Sequence, residues 1–174
     1  MIDRLIDFLL QFLDQILPFK VITQTDGAVR LRLGKFVGIL NRGLHYKIPF
    51  VDEIMSHSIL WSTMSLSSQS LTTKDKKCVV VKGIIKYRIA DVEVFLLEVW
   101  DAIDALSDMT QGIIFDIVKE RTLDELQVSD LKPLISRKVR AEAKRWGIEV
   151  ETVTLSDFAE ITSIRLLNDT GSIG

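Results

Sequence analysis

Few residues in this chain have the types and spacing that catalysis demands. There are two histidines and one cysteine in 174 residues. His45 stands between Leu44 and Tyr46, and His57 has no cysteine or ladder of carboxylates beside it, so neither fits the ligand spacing of a zinc site. Both read as structural or surface residues. The sequence contains no HExxH, CxxC, G-x-S-x-G or phosphate-loop pattern. Serines crowd into STMSLSSQS (residues 62–70), but no partner base accompanies them, and they read as a polar strand or loop. Cys78 opens an apolar run and reads as a buried, inert thiol. A lone cysteine forms no intrachain disulfide and suits a reducing compartment. These residues predict no catalytic centre, no metal and no cofactor.

The chemistry the chain does support is electrostatic. Residues 91–108 carry six carboxylates (Asp91, Glu93, Glu98, Asp101, Asp104 and Asp108) and no base. Residues 137–145 carry five bases (Arg137, Lys138, Arg140, Lys144 and Arg145) against Glu142 alone. Three readings are open. The two runs are solvated faces or pair within the chain; the basic run meets lipid headgroups or nucleic acid; or Asp101, Asp104 and Asp108 of one copy face Arg137, Arg140 and Lys144 of the next, head to tail. The net charge of −2 and the absence of interleaved aromatics argue against nucleic acid. Phe115 adds to the third reading. It lies on the polar stripe Asp104, Asp108, Gln111, Phe115, Lys119, where an aromatic side chain suggests a subunit contact.

The elements that position these residues are legible from periodicity. At 47% hydrophobic and 26% charged residues, the chain can bury a core. The spacing predicts an amphipathic helix over residues 1–18, ending at Pro18. Ile2, Leu5, Ile6, Leu9, Leu10, Phe12, Leu13, Ile16 and Leu17 are apolar, and Asp3, Arg4, Asp7, Gln11, Asp14 and Gln15 share one face. It is short for a bilayer span, carries three aspartates, and lacks the features of a signal peptide. It covers a membrane surface, a second copy, or its own domain. Period-two strands follow over 21–25, 28–33 and 36–40, with hairpin turns at Asp26-Gly27 and 41–43. Further strands are expected over 53–62, 65–71 and 78–89. In the last of these Val79, Val81, Ile85, Tyr87 and Ile89 face one way and Lys82, Lys86 and Arg88 the other. Asp91 caps a short helix. Asp101 opens a long one with Ala102, Leu106, Met109, Ile113 and Ile117 inward. Thr122 and Glu125 form a capping box. Ser129 caps a last helix to about Trp146, with Leu131, Ile135, Val139, Ala143 and Trp146 inward. Gly147 ends it, and a final strand follows to Phe158. Strands followed by helices and a closing strand predict an α+β fold.

Four ordered stretches carry a family resemblance: GAVRLRLGKFVGILNRGLHYKIPFVDEI, LTTKDKKCVVVKGIIKYRIAD, RTLDELQ and WGIEVETVTLSDF. Together they resemble the stomatin/prohibitin/flotillin superfamily, the SPFH or band 7 domain. The resemblance places such a domain at 19–158, with 159–174 as a short helix and tail. The segment 31–54 becomes scaffold that lies near the bilayer in membrane-bound relatives. The resemblance implies a non-enzymatic, homo-oligomeric ring or cage. It would be peripheral to a membrane on a cytoplasmic, reducing side, or assembled in solution. It also implies contacts with membrane lipid and, in some relatives, with a membrane protease, which makes a small regulatory binding module the alternative. The family's long coiled coil has no counterpart in the 16 residues after Phe158.

Overall fold

The longest apolar alternation becomes the strand around which the rest is built. In a computed structural model that describes residues 18–128 and 130–160, β8 (Cys78–Ile89) turns Val79, Val81, Ile85 and Ile89 into the core. Strand β6 (Ser62–Ser65) and β7 (Gln69–Thr72) pair in succession along one side of it. Strand β9 (Ile148–Glu160) pairs along the whole of the other side, and every pairing is antiparallel. The opposite face of β8 is laced to β9 by Lys86–Glu151 and Arg88–Glu149 ion pairs at 2.6 and 2.7 Å.

Helices cover the apolar face. They are α1 (Val92–Leu97), α2 (Ala102–Lys119), α3 (Leu123–Val128) and α4 (Leu131–Ala143), the last running into a 3-10 turn at Lys144–Trp146. The caps follow the sequence in most places. Asp91 accepts from Glu93 and Val94 N–H, Asp101 from Asp104 N–H, and Thr122 and Glu125 exchange both bonds of the capping box. The cap of α4 is Asp130, which accepts from Lys132 N–H; Ser129 lies outside the described residues. The buried line of α2 is Ala102, Leu106, Thr110, Ile114, Ile117 and Val118, so Met109 and Ile113 only flank it. Thr110 can occupy that line because its hydroxyl donates to Leu106 O at 2.7 Å.

Two smaller sheets precede this core. β2 (Asp26–Arg32) lies between β3 (Lys35–Leu40) and β5 (Asp52–Ser58), and β1 (Phe19–Ile22) pairs only with β4 (Gly43–Tyr46). The expected hairpin at Asp26-Gly27 is therefore absent. Gly27 sits inside β2, where a Cβ would lie 2.2 Å from Val92 Cγ2 of α1. Glycine serves here for close approach between strand and helix, not for a turn. Gly147 serves both purposes. Its φ is +71°, and a Cβ would meet Asp91 O at 2.3 Å, while its own carbonyl accepts from Ala90 and Asp91 N–H. The strands expected over 53–62 and 65–71 resolve into β5, β6 and β7. β9 continues past Phe158 to Glu160.

The outer edge of β9 is closed by α4. The hydroxyl of buried Ser136 accepts from Val153 N–H at 2.9 Å and donates to Val153 O at 3.3 Å. One turn on, the Arg140 guanidinium donates to Val150 O at 2.9 Å and Glu151 O at 2.6 Å. Ser136→Ala removes both bonds of Val153 while leaving its backbone groups buried, and should cost about 1–3 kcal/mol in denaturant unfolding. A loss below about 0.5 kcal/mol would show that the edge is not held this way.

Candidate membrane-facing and subunit-contact surfaces

The β1–β4 ribbon has its polarity reversed. Cross-strand pairs Phe19–Tyr46 and Val21–Leu44 share one face, and all four side chains are more than half exposed. The Phe19 and Tyr46 rings meet edge to face at 5.8 Å. Ile22, on the other face, is buried. Phe36, Val37 and Ile39 of β3 are exposed as well. So many apolar side chains left in water mark an interaction surface.

Two of the most exposed apolar residues stand at one end of the three-stranded sheet, Leu33 (76%) and Phe50 (74%). Both have left-handed backbone, with φ of +49° and +64°, which a bulky L-residue adopts only at a cost of about 1–3 kcal/mol. What holds them is Asp52. Its carboxylate is almost fully buried and takes a bidentate pair from Arg32, with Nε at 2.7 Å and Nη2 at 3.1 Å, and a third bond from Ile48 N–H at 3.1 Å. Leu33 N–H donates to Val51 O, joining the two turns. Arg32 first, and Ile48 N–H second, hold the Asp52 carboxyl down to about 2.

The charge runs are partly used within the chain. Asp91 and Asp101 cap helices, Arg140 bonds the β9 edge, and Arg145 pairs with Glu142 at 3.1 Å. Asp104, Asp108, Arg137, Lys138 and Lys144 remain exposed, and among the described residues no ion pair links the acidic run to the basic one. Phe115 is 42% exposed with Lys119 Nζ 5.6 Å from its ring centre. Both line a groove of about 440 Å³ along β7 with residues 70–74. The apolar set Ile2 to Leu17 lies outside the described residues.

The remaining candidates separate cleanly. His57 packs edge to face on Phe95 at 5.0 Å, and the His45 ring contacts Asn41 O. Cys78, expected to be buried, is exposed: it is the first residue of β8, opposite Thr72, and alternation turns Val79 inward in its place. Asp75 has a positional role that its sequence did not disclose. Its carboxylate accepts from Thr73 Oγ1 and from Leu123 N–H at 3.2 Å, and the Thr73 hydroxyl lowers its pKa below the usual carboxylate range. With Lys74 N–H donating to Arg121 O, the β7–β8 turn is pinned to the start of α3. Ser136 was also missed; a serine four residues before an arginine beside an apolar stripe was its only signal.

The four stretches whose order suggested a family now lie on one continuous fold, and the match to the SPFH domain / Band 7 family runs over residues 20–163. The chain belongs to that family. An uncharacterized protein of Methanocaldococcus jannaschii is 29% identical over 141 residues, which is 79% of this chain and 70% of that protein. A stomatin homologue of Pyrococcus horikoshii is 27% identical over 86% of this chain and 56% of its own length. Protein HflK of Vibrio cholerae is 31% identical over 64% of this chain and 28% of its own. The SPFH chain thus spans only part of each relative. Among the described residues no helix is long and apolar enough to cross a membrane.

A carboxyl with a lowered folded pKa stabilises the fold above its unfolded value, near 3.9, and that contribution is lost as pH falls through about 2. The Leu33 and Ile48 amide resonances should therefore titrate in that window in the native chain and stay flat in Asp52→Asn. Equal titration in both would dissociate Asp52 from the two turns.

Proposed function

We propose that this chain is a non-enzymatic scaffold unit that assembles with copies of itself into a ring or cage at a membrane surface and organises or encloses partner proteins. Membership of the SPFH family supports a scaffold or regulatory role at membranes. The observation that carries the reading is the reversed ribbon, Phe19, Val21, Leu44 and Tyr46, together with Leu33 and Phe50 held outward at the sheet end. A water-facing monomer gains nothing from holding two apolar side chains in unfavourable backbone conformations. Partitioning into lipid or burial under a neighbour repays that cost at about 1.5–3 kcal/mol for each large side chain fully buried. Residues 2–17 supply a second apolar contact to the same membrane or to a helical wall shared between copies. The exposed sets Asp104 and Asp108, and Arg137 and Lys144, are suited to orient neighbouring copies, each pair weak but repeated at every junction.

A regulatory module bound to a membrane protease is the second reading. It rests on what the family resemblance implies of some members, and predicts a monomer or dimer in place of a large assembly.

Flotation with liposomes and particle sizing test the proposal. The full chain should float. Deleting residues 1–17, or combining Leu33→Ser with Phe50→Ser, should each lower vesicle partitioning about tenfold or more, since about 1.4 kcal/mol corresponds to a factor of ten. Unchanged flotation in both variants would remove the membrane role. A monomer or dimer at every concentration would favour the regulatory module.

A further inference from the structure

The four-stranded sheet built on β8 ends in two edges, and their hydrogen-bond phase follows from the register. In an antiparallel pair, alternate residues turn both N–H and C=O toward the partner and the others turn them away. Thr73 N–H donates to Lys77 O at 2.9 Å, one rung beyond the Thr72–Cys78 pair. Leu71 and Gln69 therefore bond β8, and Ser70 and Thr72 direct their backbone groups out of the sheet. By the same count Val79 and Val81 face β7 and turn away from β9. Their partners across β9, Glu160 and Phe158, then point outward too. Among the described residues no backbone hydrogen bond reaches these outward groups.

The open positions match one another. Ser70 and Thr72 stand level with Val80 and Cys78, and Phe158 and Glu160 with Val81 and Val79, so the free rungs on the two edges are staggered by one residue, as parallel pairing requires. β7 and β9 each run antiparallel to β8 and hence parallel to each other. A copy set alongside in the same orientation brings its residues 158–160 against residues 70–72 of the first. Charge agrees as well: exposed Lys74 and Lys119 line the groove beside β7, and the β9 edge carries exposed Asp157 and Glu160, the latter also 3.9 Å from Lys77 of its own chain. Phe115 supplies an apolar wall to the same groove. The groove is also preorganised, because the turn at its end is tied to α3 through Lys74 N–H and the Asp75 carboxylate.

We propose that residues 70–72 of one copy pair, as parallel strands, with residues 158–160 of a second copy, so that the sheet continues from subunit to subunit. The contact is heterologous, and it closes into a ring when the rotation between copies permits. It rests on the assembly reading above and names the surface that would carry it.

Proline tests this without disturbing the core, because an outward N–H on an edge strand is where proline is tolerated. Thr72→Pro and Glu160→Pro should each keep a cooperative thermal transition and raise the concentration needed for assembly at least tenfold. In a Cys78→Ser background, Ala159→Cys combined with Ser70→Cys, two exposed positions that stand level with Val80 and share a face, should give an oxidised ladder of multimers on a non-reducing gel. Within one chain residues 70 and 159 flank Val80 on opposite sides, two strand spacings or about 10 Å apart, too far for a disulfide. The ladder is informative even where one proline variant fails to fold. Native-sized assemblies in both proline variants, or the absence of a ladder from cysteine chains that assemble, would overturn the edge contact alone. A wild-type chain that stays monomeric with and without vesicles would overturn the assembly reading and this contact with it.

Discussion

A sheet leaves a row of backbone donors and acceptors unpaired along each margin, and this domain is organised around how those rows are satisfied. β8 has no such row, since β6 and β7 share one of its sides and β9 takes the other. That double pairing lets its apolar face be buried from Val79 to Ile89 and gives α2 and α4 a surface to cover. The next row out, along β9, is closed over residues 150–153 by Ser136 and Arg140. Helix α4 thus does two jobs with two stripes: Leu131, Ile135 and Val139 pack on the core, and Ser136 with Arg140 close the strand. The helix covers only part of the strand, and what it leaves uncovered is as specific as what it seals.

The N-terminal sheets obey a different rule. They bury few side chains of their own: among the described residues before residue 50, Ile22, Ala28 and Val29 are the apolar side chains with almost no exposure. Their order comes from polar clamps. Arg32, Asp52 and Ile48 N–H hold one end, and Arg30 Nη2 reaches Tyr46 O to tie β2 to the β1–β4 ribbon. A region built that way can leave its apolar side chains outside without coming apart, which is what an interface domain needs. Buried charge normally carries a large desolvation cost, and the bidentate geometry with a third donor is what offsets it at Asp52.

The α+β order, the long β8 strand, three of the helix caps and the stop at Gly147 were legible because each depends on local rules, namely period, capping chemistry and positive φ. The reading failed where a distant contact decided. Gly27 has the sequence of a turn, and only the presence of Val92 above it explains why a strand needs glycine there. β1 pairs with β4, twenty or more residues away, in place of its sequence neighbour. Met109 and Thr110 exchange places because a threonine can satisfy its hydroxyl on its own helix and then behaves as a core residue. At the candidate surfaces, Phe115 stood out because a helical stripe exposes it. Ser136, Asp75 and the sealed edge of β9 depend on register between elements, which no local window contains. Arg140 illustrates both sides: its charge is plain in the sequence, but its bonds to Val150 and Glu151 carbonyls make it part of the fold as well as part of a basic run.

The distance along the chain between β8 and β9 has a consequence for the protein's birth. Arg88 and Glu149 are 61 residues apart, yet they are neighbours in the finished sheet. At about 5–20 residues per second of synthesis, β8 waits several seconds on the ribosome before its long partner emerges. During that interval only β6 and β7 protect it, on one side, and a 12-residue apolar strand is open on the other. The helices that will cover it are made first, so the nascent chain can shelter the face of the strand before it can shelter the edge. Slowed translation across residues 90–147 would lengthen that exposure, and nascent chains on one polysome carry the same open strand within reach of one another.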